Sequence, residues 1–378
     1  MKLCDVHIVI LSSIKWDFLW QRHQIFAKYL SAYTEVTFVE TTGVRNPSIG
    51  KALERLSQGI AGKSESPEQF EANSSLKILP PIVAPPTFKF YRKLNKLIFI
   101  PRLAKRIKSF SNKPILLITY LPTSTALEII AQLKPVRTVY DCVLNFENFP
   151  NVVHDIQQTE NQLIEIADGL IVDSIHLHKK HKAKREDIIQ IPAAVDFKHF
   201  NKIDRQETLN TAVKKVAYFG GIDHYRMNWD ILKRILSENI TVELIGPAPE
   251  GLPFKHPNLI YREPISHKKL PSALEKSDVL ILPYKITEFT KGTFPAKLFE
   301  CFATGKPIVA TALPDIEVFK DVLDIGEDPD SFIQRVLAAL QQDIENPNRK
   351  IRRIQIAREN SWENRCSSLK ITLEQFIQ

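Results

Sequence analysis

Glycine is scarce in this sequence, accounting for 12 of 378 residues, or about half of its usual share in soluble proteins. This scarcity argues against a chain built around several glycine-rich phosphate loops. No Gly-x-Gly-x-x-Gly pattern follows any predicted strand, and no run of about 18 apolar residues is present. A dinucleotide oxidoreductase and an integral membrane protein are therefore disfavoured.

The sequence also lacks the cysteine patterns of metal sites. Its four cysteines, Cys4, Cys142, Cys301 and Cys366, are far apart and form no Cys-x-x-Cys pair. No cluster of histidine, cysteine and carboxylate residues along the sequence suggests a bound metal. We therefore expect a reduced, cytoplasmic protein that needs no metal or other cofactor.

Acidic residues are absent from positions 72–127, which carry ten lysines and arginines. The formal charge of +8 is accordingly uneven, because residues 1–200 hold +7 of it. Within this region, residues 88–108 combine eight cations with apolar residues at roughly helical spacing. This pattern predicts either contact with the anionic inner face of the cell membrane or an amphipathic helix packed on its own domain with a solvated basic face.

The order of apolar runs indicates a tandem α/β protein, because short β-branched runs alternate with helical patterns and then the alternation restarts. We expect domains at 1–198 and 214–358, a linker at 199–213 and a last helix at 359–378 that packs back on the first domain. Residues 44–75 resemble a loop with one short helix. The predicted strands are Val6–Ser12, Glu35–Val39, Ile115–Thr119, Val136–Tyr140, Gly169–Val172, Val216–Phe219, Val242–Ile245, Leu259–Tyr261, Val279–Leu282 and Ile308–Ala310.

The clearest chemical signal lies after the predicted strand Val279–Leu282. Pro295 favours the first turn of a helix, so a helix should begin near 293–295 with its free N–H groups able to hold an anion. Lys297 and Glu300, three residues apart, share one face of that helix. The pair suits a nucleoside diphosphate, with lysine on phosphate and glutamate on ribose. The alternative is a weak surface ion pair.

Three polar residues of the first half are also candidates. Asp141 follows the apolar run Val136–Tyr140, so its carboxylate should lie at the end of a strand, where it could deprotonate or orient an acceptor hydroxyl. Its alternative role is a helix cap or turn acid. Arg22 and His23 begin the first predicted helix, where they could bind an acceptor phosphate or developing charge, or simply lie on the surface.

Several motifs, in the right order, resemble those of GT-B-type glycosyltransferases, in particular glycosyltransferase family 4 and related bacterial enzymes that build cell-surface polysaccharides. The match covers about the last half of the chain, and the first half corresponds in layout. The motifs are Ile191–Phe200, Tyr218–Gly221 with Arg226, Leu270–Tyr284, Pro295-x-Lys297-Leu298-x-Glu300, Gly305–Pro307, Trp362-Glu363 and, in the first half, Trp16–Gln24.

This resemblance implies a GT-B architecture of two Rossmann-like α/β domains facing across a cleft, with a nucleotide-sugar held by the second domain. By resemblance, Lys297 would hold the donor diphosphate, Glu300 the ribose, and Arg226 the phosphates as a second cation. The backbone at Gly220 and Gly221 would approach the phosphates closely, which requires the missing side chains. The alternative for this pair of glycines is an ordinary tight turn.

The resemblance further implies that Tyr284 and the backbone N–H groups of Thr293 and Phe294 line the donor site. It also implies transfer of a sugar to a hydroxyl of a glycan or lipid-linked glycan, with retention of configuration. Gly292, however, stands where that family commonly has the first glutamate of a Glu-x7-Glu motif. The alternatives are a nucleotide-sugar epimerase of the same fold and a basic nucleic-acid-binding protein, and no nucleic-acid module is recognisable.

Overall fold

A computed structural model describes residues 1–18, 20–41, 74–80, 89–202 and 214–378. The chain divides into two compact units. The first comprises 1–173, 177–191 and 366–378, and the second comprises 174–176 and 192–365. The loop expected at 44–75 (up to residue 73) and most of the linker expected at 199–213 (from residue 203) lie outside the described residues.

The first unit contains a parallel sheet whose seven described strands follow the order β3-β2-β1-β4-β5-β6-β7. Strand order therefore reverses between β1 and β4, which are hydrogen-bonded neighbours with His7 opposite Ile115. Both strands are fully buried, as their unbroken apolar runs predict. The strands are β1 His7–Leu11, β2 Val36–Val39, β3 Leu76–Leu79, β4 Ile115–Thr119, β5 Arg137–Cys142, β6 Gly169–Val172 and β7 Ile188–Gln190.

The second unit repeats this arrangement with six described strands in the order β10-β9-β8-β11-β12-β13, all parallel. Here the order reverses between β8 and β11. The strands are β8 Lys215–Phe219, β9 Thr241–Ile245, β10 Leu259–Arg262, β11 Val279–Leu282, β12 Ile308–Ala310 and β13 Asp324–Ile325.

The helices alternate with the strands as the sequence predicts, and the expected α/β fold is confirmed. They are α1 Arg22–Leu30, α2 Lys89–Leu94, α3 Ile100–Lys108, α4 Ser124–Leu133, α5 Ile156–Ile166, α6 Ile175–Lys182, α7 Phe197–Phe200, α8 Trp229–Leu236, α9 Leu270–Glu275, α10 Glu288–Lys291, α11 Lys297–Thr304, α12 Pro314–Glu317, α13 Pro329–Glu345, α14 Pro347–Glu359 and α15 Trp362–Phe376.

The end of α15 is fixed within the first unit by its last residue, Phe376. The Phe376 carbonyl accepts a hydrogen bond from Arg137 Nε at 2.8 Å. The Phe376 ring also fills the space beside Gly169, where a Cβ atom would lie 2.4 Å from it. Glycine at the start of β6 therefore makes room for the last helix.

The basic segment forms one helical rod, in which a π-helical turn at Asn95–Phe99 joins α2 to α3. Its apolar side packs into the core of the first unit through Ile100, Leu103 and Ile107. The cations at 93, 96, 102, 105, 106 and 108 are exposed, and the nearby Leu97 is 65% exposed. Within the described residues, no helix combines the length and apolar character that a membrane span requires.

Candidate functional site

Two glycine turns meet at the carboxyl ends of β8 and β9. Gly220 has φ +129° and Gly246 has φ +142°, both in the region that disfavours residues with a side chain. The Gly220 N–H donates to Ile245 O at 2.9 Å, and a Cβ atom on Gly246 would lie 2.0 Å from the Gly220 carbonyl oxygen. Gly246 was missed by the sequence analysis, although a lone glycine directly after an apolar run was the available signal.

Two cations flank the Gly220–Gly221 backbone. A Cβ atom on Gly220 would lie 3.4 Å from Lys297 Cε, and one on Gly221 would lie 3.6 Å from Arg226 Nη1. The loop follows β8 and Lys297 begins α11, which follows β11, so these groups meet where the strand order reverses. Open α/β sheets bind their ligands at such reversal points, beyond the carboxyl ends of the strands.

Lys297 also makes the ion pair with Glu300 that the sequence analysis considered. Lys297 Nζ lies 3.2 Å from Glu300 Oε2, and the two side chains are 32% and 13% exposed. The ammonium also lies 5.6 Å from the centre of the Phe219 ring. Lys297 is therefore held against the β8 loop rather than extended into solvent. The helix begins at Lys297, two residues later than the latest predicted start, with Ala296 before it.

Arg226 is held over the aromatic rings of Tyr225 and Phe289, with its guanidinium 5.7 Å and 6.0 Å from their centres. Its Nη1 atom lies 3.8 Å from Asp223 Oδ2, so the charge is only loosely paired there. The Arg226 carbonyl accepts a hydrogen bond from Lys285 N at 2.8 Å, which fixes the backbone beside the turn after β11.

Two tyrosines, Tyr218 and Tyr284, support the Gly220–Gly221 loop. Tyr218 donates its hydroxyl to the Gly221 carbonyl at 2.8 Å, and burial raises the pKa of Tyr218 to about 12. Tyr284 packs edge-on against it with ring centres 6.1 Å apart and is 5% exposed. Tyr284 therefore lies at the predicted place but contributes mainly to the packing beneath the loop. Tyr218 was not predicted as a site residue.

The backbone of Thr293 is not available as expected. Its N–H donates to Thr290 O at 3.3 Å, and its hydroxyl donates to Phe289 O at 2.9 Å. Phe294 is buried and stacks on Phe299 at 5.4 Å. The prediction of a free Thr293 N–H is therefore wrong, because this N–H donates to a carbonyl of the short helix α10.

In the first unit, Arg22 and Asp141 form a buried, two-pronged ion pair. Arg22 Nε and Nη2 each donate to one Asp141 oxygen at 2.8 Å, and the side chains are 6% and 1% exposed. Burial raises the pKa of Asp141, and Arg22 opposes that shift. The strand continues to Cys142, so Asp141 lies at the carboxyl end of β5, as its place in the sequence predicts, and is not a helix cap; both of its oxygens accept hydrogen bonds from Arg22.

His23 is also buried, which contradicts the interpretation as a surface residue. It is 4% exposed, its Nε2 lies 2.9 Å from Ser13 Oγ, and its ring centre is 3.8 Å from that of Tyr120. Ser13 follows β1 and Tyr120 follows β4, so His23 lies where the first sheet reverses its order. Burial, together with Arg22, lowers the pKa of His23 to about 3.

This depressed pKa predicts a dependence of stability on pH. At pH values between the ordinary pKa of about 6.5 and the folded pKa of about 3, His23 binds a proton in the unfolded chain but not in the folded chain. The free energy of unfolding should therefore fall as the pH falls below 6.5, by about 2 kcal/mol at pH 5. Urea unfolding of the wild type and His23→Asn at pH 5 and pH 8 checks this, since the wild type should lose that much more than the variant. Equal losses in both proteins would contradict the assignment.

The close approach of the two glycine turns gives a second prediction. Gly246→Ala places a methyl group against the Gly220 carbonyl and should lower the free energy of unfolding by more than about 2 kcal/mol. Gly251→Ala is the matched control, because Gly251 also has positive φ (+71°) but has no atom within 4 Å of its Cβ position. Thermal unfolding of both variants separates the clash from backbone strain, and equal destabilisation would contradict the clash.

One cluster of potential ligands was not foreseen from the cysteine spacing. Cys142, Glu160 and His181 lie together in the first unit, with their ligand atoms within 4.8 Å of one another and all three side chains buried. Their separations in sequence carry no local metal-binding signature. Folding alone brings them together.

These features define a two-unit α/β protein with two cations beside a glycine turn, and comparison with known proteins shows similarity to glycosyltransferases. Residues 214–342 match the model of the family described as "Glycosyl transferases group 1". The segment contains Gly220, Gly221, Gly246, Arg226, Lys297 and Glu300. The resemblance to GT-B-type glycosyltransferases is thereby confirmed.

One curated relative is "Putative teichuronic acid biosynthesis glycosyltransferase TuaH" from Bacillus subtilis (strain 168), 30% identical over 229 residues. The alignment covers 55% of this chain and 57% of that relative. Among solved structures, HepE from Anabaena in complex with UDP-glucose matches with a TM-score of 0.68 and 11% identity, covering 98% of this chain and 99% of that one. Sucrose-phosphate synthase from Thermosynechococcus elongatus matches with a TM-score of 0.68, 14% identity and the same coverage. The fold is therefore GT-B.

Proposed function

We propose that this protein transfers a sugar from a nucleotide-sugar to a hydroxyl group of a glycan or lipid-linked acceptor. The observation that carries the proposal is the placement of the Gly220–Gly221 backbone between Lys297 and Arg226. Two cations beside a loop without side chains suit the oxygens of a diphosphate. The glycosyltransferase family match over 214–342 and the relative TuaH support the same activity.

In this proposal, the second unit stabilises the departing nucleoside diphosphate. Lys297 turns from Glu300 to the phosphate oxygens, and Arg226 supplies the second positive charge as the sugar–oxygen bond breaks. The freed Glu300 carboxylate then accepts hydrogen bonds from ribose hydroxyls. Lysine and arginine act here without any metal ion, so metal-independent transfer is the expectation.

Two finer points follow the family resemblance. We propose that the anomeric configuration of the sugar is retained, and proton NMR of the first-formed product tests this, since inversion would overturn it. Gly292 cannot make the sugar contact expected of the glutamate usual at that position, so the donor sugar must be held by other groups. UDP-sugars are the first donors to test, because HepE was solved with UDP-glucose.

On the acceptor side, we propose that the reversal point of the first sheet, with Ser13 and His23, lies near the acceptor hydroxyl, and that Arg22 and Asp141 hold this region in place.

The exposed basic face of α2 and α3, with Leu97, suits contact with an anionic membrane that carries a lipid-linked acceptor. Co-sedimentation should be stronger with vesicles containing an anionic lipid than with neutral ones. Equal binding to both would overturn the membrane contact.

The function is tested by a thermal-shift screen of UDP, GDP, dTDP and their sugars, followed by an assay of sugar transfer. A cognate nucleotide at 100 times its Kd adds about 2.7 kcal/mol to the stability of the folded state. We expect one nucleotide family to raise the melting temperature and its sugar to be transferred when a hydroxyl acceptor is present. Conversion of the nucleotide-sugar to an isomer without an acceptor would instead establish an epimerase.

A further inference from the structure

A buried cluster in the first unit lies apart from the groups assigned to donor binding. Cys142 ends β5, Glu160 lies on α5 and His181 lies on α6. Cys142 and His181 are 0% exposed and Glu160 is 2% exposed. Strand β5 thus presents Asp141 to one side of the sheet and Cys142 to the other, because successive side chains alternate.

The distances between the ligand atoms suit a tetrahedral metal ion. Cys142 Sγ lies 3.8 Å from His181 Nε2 and 3.7 Å from Glu160 Oε1. Bond lengths of about 2.0–2.3 Å at tetrahedral angles place such atoms about 3.6 Å apart. The two separations from Cys142 Sγ match this value, and all three ligand atoms lie within 4.8 Å of one another. The carbonyl oxygen of Leu144, 3.5 Å from Cys142 Sγ, is a candidate for the fourth ligand.

The other contacts of the cluster are compatible with a bound cation. Tyr140 donates its hydroxyl to Glu160 Oε1 at 2.7 Å, which orients the carboxylate. Lys180 Nζ lies 3.7 Å from Glu160 Oε2 but is bound more closely by Asn145 Oδ1 at 2.6 Å and by Glu147 at 3.0 Å. Burial, with Glu160 nearby, raises the pKa of the Cys142 thiol, so a metal would have to displace the thiol proton on binding.

We propose that Cys142, Glu160 and His181 bind a structural zinc ion that ties β5 to α5 and α6. A thiolate, an imidazole and a carboxylate are the donor set that zinc accepts, whereas magnesium and calcium prefer oxygen ligands alone. The zinc would brace the strand that carries Asp141 on its opposite side. The zinc proposal does not rest on the proposed sugar transfer.

The first test is the metal content of the full-length protein purified without chelator and after equilibration with zinc. Elemental analysis should find about one zinc per chain in the wild type and almost none in Cys142→Ala or His181→Ala. Cys301→Ala is the matched control, because Cys301 is equally buried but lies in the second unit, and it should retain zinc. A zinc chelator should lower the melting temperature of the wild type and of Cys301→Ala.

Cobalt substitution gives a readout that does not depend on the variants folding. Cobalt bound to the wild-type protein should show a thiolate-to-cobalt charge-transfer band in the near ultraviolet and the visible bands of a tetrahedral site. Zinc below about 0.1 per chain after equilibration, or cobalt without the thiolate band, would overturn the proposal. Full retention of zinc by Cys142→Ala would overturn it equally.

Discussion

Lys297→Ala should lower kcat/KM for sugar transfer by about 100-fold or more, with a parallel loss of nucleotide affinity. The Lys297 side chain lies beside the Gly220 backbone, so the substitution removes the charge proposed to contact the leaving diphosphate. Its removal should leave the fold intact, because the side chain is one-third exposed and its ion pair with Glu300 is of the weak i,i+3 type. Steady-state kinetics with the cognate donor and calorimetric titration of the nucleoside diphosphate measure both effects.

Lys291→Ala is the matched control for this experiment. Lys291 pairs with Glu288 at the same i,i+3 spacing, 2.9 Å apart, and is 35% exposed, close to the 32% of Lys297. The two variants therefore remove the same charge and nearly the same surface. If both leave turnover unchanged, the donor site is misplaced. If both reduce it equally, the effect is one of overall charge.

Asp141→Ala should lower the free energy of unfolding by about 3–5 kcal/mol, because it leaves the Arg22 guanidinium buried without its carboxylate. The double variant Arg22→Leu with Asp141→Leu should recover most of this loss, since apolar side chains of similar volume can replace a buried ion pair. Urea unfolding at pH 7 measures all three proteins.

Asp155→Ala is the control for the buried pair. Asp155 pairs with Arg92 in the same unit through two hydrogen bonds, but these side chains are 17% and 28% exposed, so its loss should cost about 1 kcal/mol or less. One outcome of the Asp141→Ala experiment would instead support the other role considered for Asp141, which is to deprotonate or orient the acceptor hydroxyl. If Asp141→Ala unfolds like the wild type yet abolishes transfer, Asp141 acts directly on the acceptor.

Much of the fold was predictable because a buried strand can be recognised from a few consecutive residues. Strands such as β4 and β11 are covered on both faces, so nearly every residue is apolar and the run is easily recognised. Three strands, β3, β7 and β13, were missed and lack this signal. β3 includes an exposed lysine, β7 has only half-buried and exposed residues, and β13 is two residues long. Their pairing with a neighbour, rather than their composition, makes them strands.

The positions proposed for donor binding could be located from the sequence for a related reason. They follow β8 and β11 along the chain, and the parallel topology brings the carboxyl ends of these strands to one edge of the sheet. A glycine directly after an apolar run marks Gly246, but its contact with Gly220 was not predictable, since only the pairing of β8 with β9 sets the two backbones together. The environments of Arg22 and His23 were also mistaken, because a helix start predicts exposure unless the tertiary fold covers it.

The sequence by itself determined the tandem α/β plan, the uneven positive charge and the positions of Lys297, Glu300 and the paired glycines, because apolar periodicity and turn chemistry act over a few residues. The tertiary structure alone decided that Arg22 meets Asp141, 119 residues away, and that Cys142, Glu160 and His181 share one buried pocket. Such contacts depend on which strands are neighbours and on which side of the sheet each side chain faces. Neither can be deduced from how far apart two residues lie along the chain.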